Sequence, residues 1–362
     1  MAGLAASVVL AVLATAAAAH TGRAAAPALP ALTRVAAPDP VPEGVATPVT
    51  EPAPPPPKAK ARVKVAAPPP STTTTTTAPI PSPPILTGAP QIPDGKGMWI
   101  WQPERSDMGD VGVIVTRARF AGLTHLFVRT GSTWDGFTAG PFLDYLLPVA
   151  HQAGLKVYGW DFPKLADTRV DVARAVQALS HTTPSGDRID GFAADIETKS
   201  EGTQFTPDTA WTYTHYLRDV VGPSTLLIAV VPNPTPQMRQ KYNYDATVGP
   251  FDAIAPMVYW LNREPGLDVA IALDYLRHYG KPLMPIGQAY NGAPEGGRPG
   301  VPPPAELLRF MEVAKNYGAS AVSFWSWQEA NAAAWDAITK APQFVAQPKA
   351  DAKAEPKKEK KA

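Results

Sequence analysis

The chain has 362 residues, a net charge of +1 and no cysteine. The near-neutral balance excludes a field that draws nucleic acid, and the missing thiols exclude disulfides, thiolate metal sites and a cysteine nucleophile. All nine tryptophans lie from Trp99 onward, and no aromatic residue precedes Lys96, so the core must be built after that point.

The chain begins with a mostly apolar, alanine-rich run over residues 4–19, followed by Ala17-Ala18-Ala19 and Ala24-Ala25-Ala26. The run is short for a membrane span, and the small-residue signatures read as a signal peptide or N-terminal anchor over residues 1–26. No Lys or Arg precedes the run. Residues 27–94 are low in complexity, with four prolines at 54–57 and threonines at 72–77. Such a segment buries too little apolar surface to offset its ordering entropy, which predicts a disordered Pro/Thr-rich linker. Residues 343–362 read as a solvated Lys-rich tail. Together these ends imply an extracytoplasmic protein, secreted or associated with a cell wall or membrane.

Between them, strand-like and helix-like segments alternate eight times. The apolar, β-rich runs cover 97–102, 125–130, 155–162, 191–197, 226–232, 253–260, 283–290 and 319–327. The segments between them repeat apolar residues at helical spacing, as in Val172, Ala173, Val176 and Leu179, or Leu307, Phe310, Val313 and Ala314. Gly122, Gly154, Gly280 and Gly318 fall where helix C-caps belong. Strict alternation with an eightfold count over 95–342 predicts a single α/β domain, a (β/α)8 TIM barrel. An open doubly wound sheet is the runner-up, but strand 1 runs into Gln102-Pro103-Glu104 without a Gly-rich phosphate loop.

Active sites of such barrels lie at the C-terminal strand ends. Those ends carry Trp101, Arg129, Asp161, Asp195, Glu197, Tyr259, Trp260, Gln288, Tyr290, Trp325 and Trp327, a ring of aromatics around a few carboxylates. Aromatic faces stack on the C–H faces of sugars, and carboxylates and amides bond their hydroxyls. The sharpest element is residues 190–197, Asp-Gly-Phe-Ala-Ala-Asp-Ile-Glu. Alternation points Asp195 and Glu197 to one face, and Phe192, Ala194 and Ile196 to the other. Two carboxylates in one confined mouth cannot both ionise freely, which raises one pKa into the range of a general acid. The bland alternative is a structural network with Arg129 or a backbone turn. Asp161 shares the face of Val157 and Gly159; it is a third carboxylate that would position water or pair with Asp195, or else an N-cap.

At these residues the chain resembles the family 18 glycoside hydrolases, the chitinase-type barrels. Their strand-4 signature Asp-Gly-x-Asp-x-Asp-x-Glu aligns with Asp190, Gly191, Asp195 and Glu197, and their Met-x-Tyr on strand 6 with Met257-Val258-Tyr259. Trp325 matches the family's tryptophan under the substrate. The resemblance implies Glu197 as acid/base, Asp195 and Tyr259 orienting the substrate's own N-acetyl group, and Trp325 as subsite floor. Ala193 stands where the family has its innermost aspartate, and Trp260 where it has an aspartate after the tyrosine. The Asp-x-Glu pair also resembles family 25 lysozymes, although their strand-1 aspartate has no counterpart in 97–102. The expectation is an exported glycosidase acting on an N-acetylated or cell-wall polysaccharide or oligosaccharide, with no cofactor or metal, no nucleic-acid partner, and a monomer. The alternative is a noncatalytic glycan-binding barrel. A metal-dependent hydrolase is the weakest reading, because the six histidines lack paired ligand spacing.

Overall fold

The computed structural model describes residues 90–344, so the proposed leader, most of the linker and the Lys-rich tail beyond residue 344 lie outside the described residues. Eight parallel strands close into a barrel: β1 (Gly95–Ile100), β2 (His125–Arg129), β3 (Lys156–Asp161), β4 (Gly191–Asp195), β5 (Leu227–Pro232), β6 (Ala253–Val258), β7 (Ile286–Gln288) and β8 (Ala321–Trp325). Each pairs with its sequence neighbours, and β8 closes on β1 with Gly95 opposite Ala321. The eightfold (β/α) alternation expected from sequence is therefore the fold, with helices α1 (Val111–Phe120), α2 (Gly140–Gln152), α3 (Thr168–Ser180), α4 (Pro207–Val221), α5 (Asp245–Val248), α6 (Pro265–Leu276), α7 (Pro304–Asn316) and α8 (Ala332–Lys340) between the strands. No described helix is long and apolar enough to cross a membrane.

Two cores follow from the period-2 alternation of side chains along a strand. Outward residues such as Phe192, Ala194, Val231 and Phe324 pack with the helices, while Trp99, Phe127, Tyr158, Trp160, Ala193, Ile228, Ala255 and Ile286 fill the barrel interior. Inside, the Trp99 ring lies 4.1 Å from Phe127 and nearly parallel to it, and its Nε1 donates to Ser323 Oγ at 2.8 Å. Ala193 sits opposite Trp160 in the β3–β4 register and is wholly enclosed by this aromatic packing. A carboxylate there would be a charge buried among rings, so the alanine suits an interior filled with indoles. Gly97 shows how tightly the floor is packed, since a Cβ there would come 2.1 Å from His125 Nε2. The four glycines expected at helix ends, Gly122, Gly154, Gly280 and Gly318, all take positive φ, between 66° and 79°.

The strands are shorter than the apolar runs, and β7 shrinks to three residues with an isolated bridge at Leu283. After β2 the chain adds a small antiparallel hairpin, Gly131–Ser132 with Gly136–Phe137, at the barrel's C-terminal mouth. Its turn is fixed by Ser132 Oγ, which donates to Asp135 and accepts from the backbone N–H groups of Trp134 and Asp135.

Candidate active site

Inward parity carries a defined set of side chains to the mouth. Trp101 follows Trp99, Arg129 follows Phe127, Asp195 follows Ala193, Tyr259 follows Met257 and Trp325 follows Ser323. Trp101 and Trp325 lie 6.1 Å apart with their planes 30° from parallel, and Trp160 meets Trp325 edge-on at 5.3 Å. These rings form an apolar cluster in the mouth, with Trp101 and Trp325 at the ends of β1 and β8, across the barrel from the carboxylates of β4.

Asp195 ends β4, and Glu197 follows two residues later on the same side; both are partly open to solvent. The backbone between them is pinned. Ile196 donates to Val230 O, Tyr242 OH donates to Ile196 O at 2.8 Å, and Thr203 Oγ1 donates to Glu197 O at 3.1 Å. Asp195 Oδ1 is enclosed and finds no hydrogen-bond partner among the described residues. Desolvation holds the Asp195 carboxyl well above the usual carboxylate range, with the charges of Asp161 and Glu201 adding to it. Glu197 is also raised well above its ordinary value, first by desolvation, then by Asp195 and Glu201, against one opposing hydrogen bond from the Thr198 backbone. Two coupled carboxyls of this kind hold a proton into the neutral range.

Tyr259 stands edge-on to Tyr290 at 5.3 Å, and it feels the charges of Asp195 and Glu197. Burial pushes its phenol well above the ordinary value, so it remains a hydroxyl donor. Tyr290 is itself spent: it is 5% exposed and donates to Glu295 Oε2 at 2.7 Å. Gln288 is likewise committed, accepting from Leu261 N at 2.8 Å and donating to Tyr290 O. Both staple the loops after β6 and β7 instead of offering a free polar end to the mouth.

Three expected site residues are elsewhere. Asp161 is on the outward face, fully buried, with Oδ2 accepting from Arg174 Nε at 2.6 Å; Arg174 also reaches Asp171 at 2.9 Å. It neither binds substrate nor caps a helix, since α3 is capped by Asp167. Trp260 also points outward, packing on Phe310 of α7 and donating Nε1 to Glu306 Oε2 at 2.7 Å. Trp327 has the inward parity of Trp325 on paper, but β8 ends at Trp325 and the chain turns. Its indole then packs edge-on against Trp335 of α8 and donates to Asp107 Oδ2.

Arg129 does not pair with the carboxylates on β4. It donates Nε to Gly131 O and lines a cavity of about 520 Å³ with Trp101, Glu104, Ser132, Asp135 and Phe142. Glu201 and Glu295, whose charges bear on Glu197, were not singled out from sequence. Glu295 lies in the short helical turn Ala293–Glu295 after β7. Tyr242 and Thr203 carried no sequence signal, because they act through backbone carbonyls, Tyr242 on one 46 residues away and Thr203 on one six residues away.

No protein-family model and no curated protein matches the chain. Among solved structures, it is similar to a class V chitinase from Pseudomonas fluorescens Pf-5, at 13% identity over 68% of this chain and 98% of that one, with a TM-score of 0.49. The C-terminal domain of a chitinase-like protein from Desulfitobacterium hafniense DCB-2 gives 11% identity over the same shares and a TM-score of 0.48. The Bacillus cereus spore cortex-lytic enzyme SleL gives 13% identity over 68% of this chain and 73% of that one, also at 0.48.

Proposed function

We propose that this protein is a glycoside hydrolase of an N-acetylated or cell-wall polysaccharide, with Glu197 as general acid/base. The observation that carries the reading is the pair Asp195 and Glu197, on the inward side of one strand end, partly open, with raised proton affinity, in a mouth whose opposite strands carry Trp101 and Trp325. A protonated Glu197 gives its proton to the glycosidic oxygen as the bond to the anomeric carbon breaks. The resemblance to family 18 assigns the attacking group to the substrate's acetamido oxygen, oriented by Asp195 and the Tyr259 hydroxyl. Water then opens that ring, returning a proton to Glu197. This route needs one carboxyl acid and no enzyme nucleophile, an exception to the two-carboxylate pattern.

The test is release of reducing ends from chitin and peptidoglycan oligomers by the parent and by Glu197→Gln. Turnover that vanishes in the variant supports the hydrolase. Glycan binding without turnover in both supports the noncatalytic glycan-binding reading, which the alanine at 193 favours by removing one carboxylate of the motif. The apolar run and the Pro/Thr-rich segment support an extracytoplasmic protein, secreted or associated with a cell wall or membrane, and the proposal takes it as a monomer. Cell fractionation checks this, and a cytoplasmic pool of full-length chain would refute it.

A further inference from the structure

The cavity beside Trp101 lies toward the β2 hairpin, and neither Asp195 nor Glu197 is among its lining residues. A ligand group held there is therefore a different part of the glycan from the sugar being cleaved. Its volume, about 520 Å³, is ample for one pyranose ring with a substituent.

Arg129 is the cavity's distinctive residue. Of the other half-enclosed or buried arginines among the described residues, Arg174 lies between Asp161 and Asp171, Arg218 grips Asp252 at 2.6 Å and Arg239 bonds Pro234 O and stacks on Tyr275, while Arg188 lies away from any described cavity. Arg129 joins no ion pair within 4.0 Å among the described residues, and its recorded hydrogen bond is Nε to Gly131 O at 3.1 Å. The acid that most favours its charge, Asp135, is held by Ser132 Oγ at 2.7 Å in the hairpin turn. Glu104 also lines the cavity but is exposed, where water screens it. A half-buried guanidinium without an ion-paired acid carries a desolvation cost that an incoming anion relieves. Its Nη edge has the flat, two-pronged geometry that matches a carboxylate. Trp134, in the hairpin turn between the lining residues Ser132 and Asp135, is 83% exposed, and Met108, which lines the cavity, is 91% exposed. An exposed indole in the turn next to the lining is a stacking face for a sugar.

We propose that this cavity is a subsite for a carboxylate-bearing sugar of the same glycan chain, with Arg129 pairing the carboxylate and Trp134 stacking on the ring. The proposal rests on the glycan-active reading above and narrows it, from N-acetylated chains in general to hexosamine chains carrying an ether-linked carboxylate. It also makes the ligand an oligomer, because the subsite and the carboxylate pair are lined separately.

The experiment is titration of full-length Glu197→Gln, which removes turnover from the measurement. The probes are a tetrasaccharide alternating N-acetylglucosamine and N-acetylmuramic acid, the same chain with its carboxyls reduced to alcohols, and chitotetraose. The acidic tetrasaccharide should bind at least about tenfold more tightly than its reduced form, a preference that weakens with salt. Adding Arg129→Gln should abolish the preference. Arg129→Lys, which keeps charge and stem but loses the fork, should retain part of it and serves if the glutamine variant fails to fold. Trp134→Ala, at an exposed site, should weaken all three ligands severalfold. Equal affinity for the acidic and reduced chains overturns the proposal, as does a preference that survives both Arg129 variants. A preference that holds while the parent shows no turnover sinks the hydrolase reading and leaves the subsite standing; no binding of any probe refutes both.

Discussion

Replacing Arg174 with Met removes what is, among the described residues, the one base ion-paired with Asp161, a carboxylate with no exposed surface, and one partner of Asp171, which is 1% exposed. Asp171 keeps its bond from the Leu165 N–H, so Asp161 bears most of the loss. Breaking a buried ion pair from one side costs about 3–5 kcal/mol, because a charge is left without compensation. At about 2–4 °C per kcal/mol for a domain of this size, the variant should melt roughly 6–20 °C below the parent at pH 7.5. The cost must depend on pH. Burial already pushes the Asp161 carboxyl up to about 6 even with Arg174 attracting its charge. An acid whose folded pKa lies above its unfolded value loses stability as pH rises from the unfolded value through the folded one. Removing Arg174 raises the folded value again. Destabilisation at pH 7.5 should then exceed that at pH 5 by about 1.4 kcal/mol for each further pH unit gained. Adding Asp161→Asn should restore part of the loss. Urea melts of the three chains at both pH values are the assay. A single variant that unfolds within about 2 °C of the parent at pH 7.5, or with the same penalty at both pH values, would refute the buried-charge account.

Asp195→Asn removes a negative neighbour of Glu197, so the glutamate should ionise at lower pH and the alkaline limb of kcat/KM should move down; an unmoved limb contradicts the coupling. Trp101→Ala should raise KM for oligomers more than it lowers kcat, and Trp260→Phe should leave KM unchanged. The latter should instead cost about 1–3 kcal/mol of stability through the lost bond to Glu306, measurable by denaturant titration. A raised KM in Trp260→Phe would place that indole in the mouth after all. Gly97→Ala should abolish soluble expression or lower the melting point sharply, since its Cβ meets the His125 ring within the packed barrel; a parent-like melting point would refute that packing.

Alternation along the chain determined much of this protein. Eight apolar runs separated by amphipathic segments leave little but a parallel barrel, because each helix must bury one face on a strand and each strand needs parallel neighbours. The same period of two already set Asp195 apart from Phe192 and Ala194, and it assigned Asp161 to the face of Val157. What a run of letters could not supply was where each strand stops and what waits on its outer side. Trp327 leaves the inward face because the chain turns after Trp325, and Trp260 and Asp161 are taken by Glu306 and Arg174, partners on helices distant in sequence. Arg129 joins no ion pair among the described residues for the converse reason, as Asp161 of β3 is held by Arg174 and Asp135 by Ser132. Local periodicity is written in neighbouring residues, whereas the pairing of a charge or an indole depends on which distant segment packing brings alongside it.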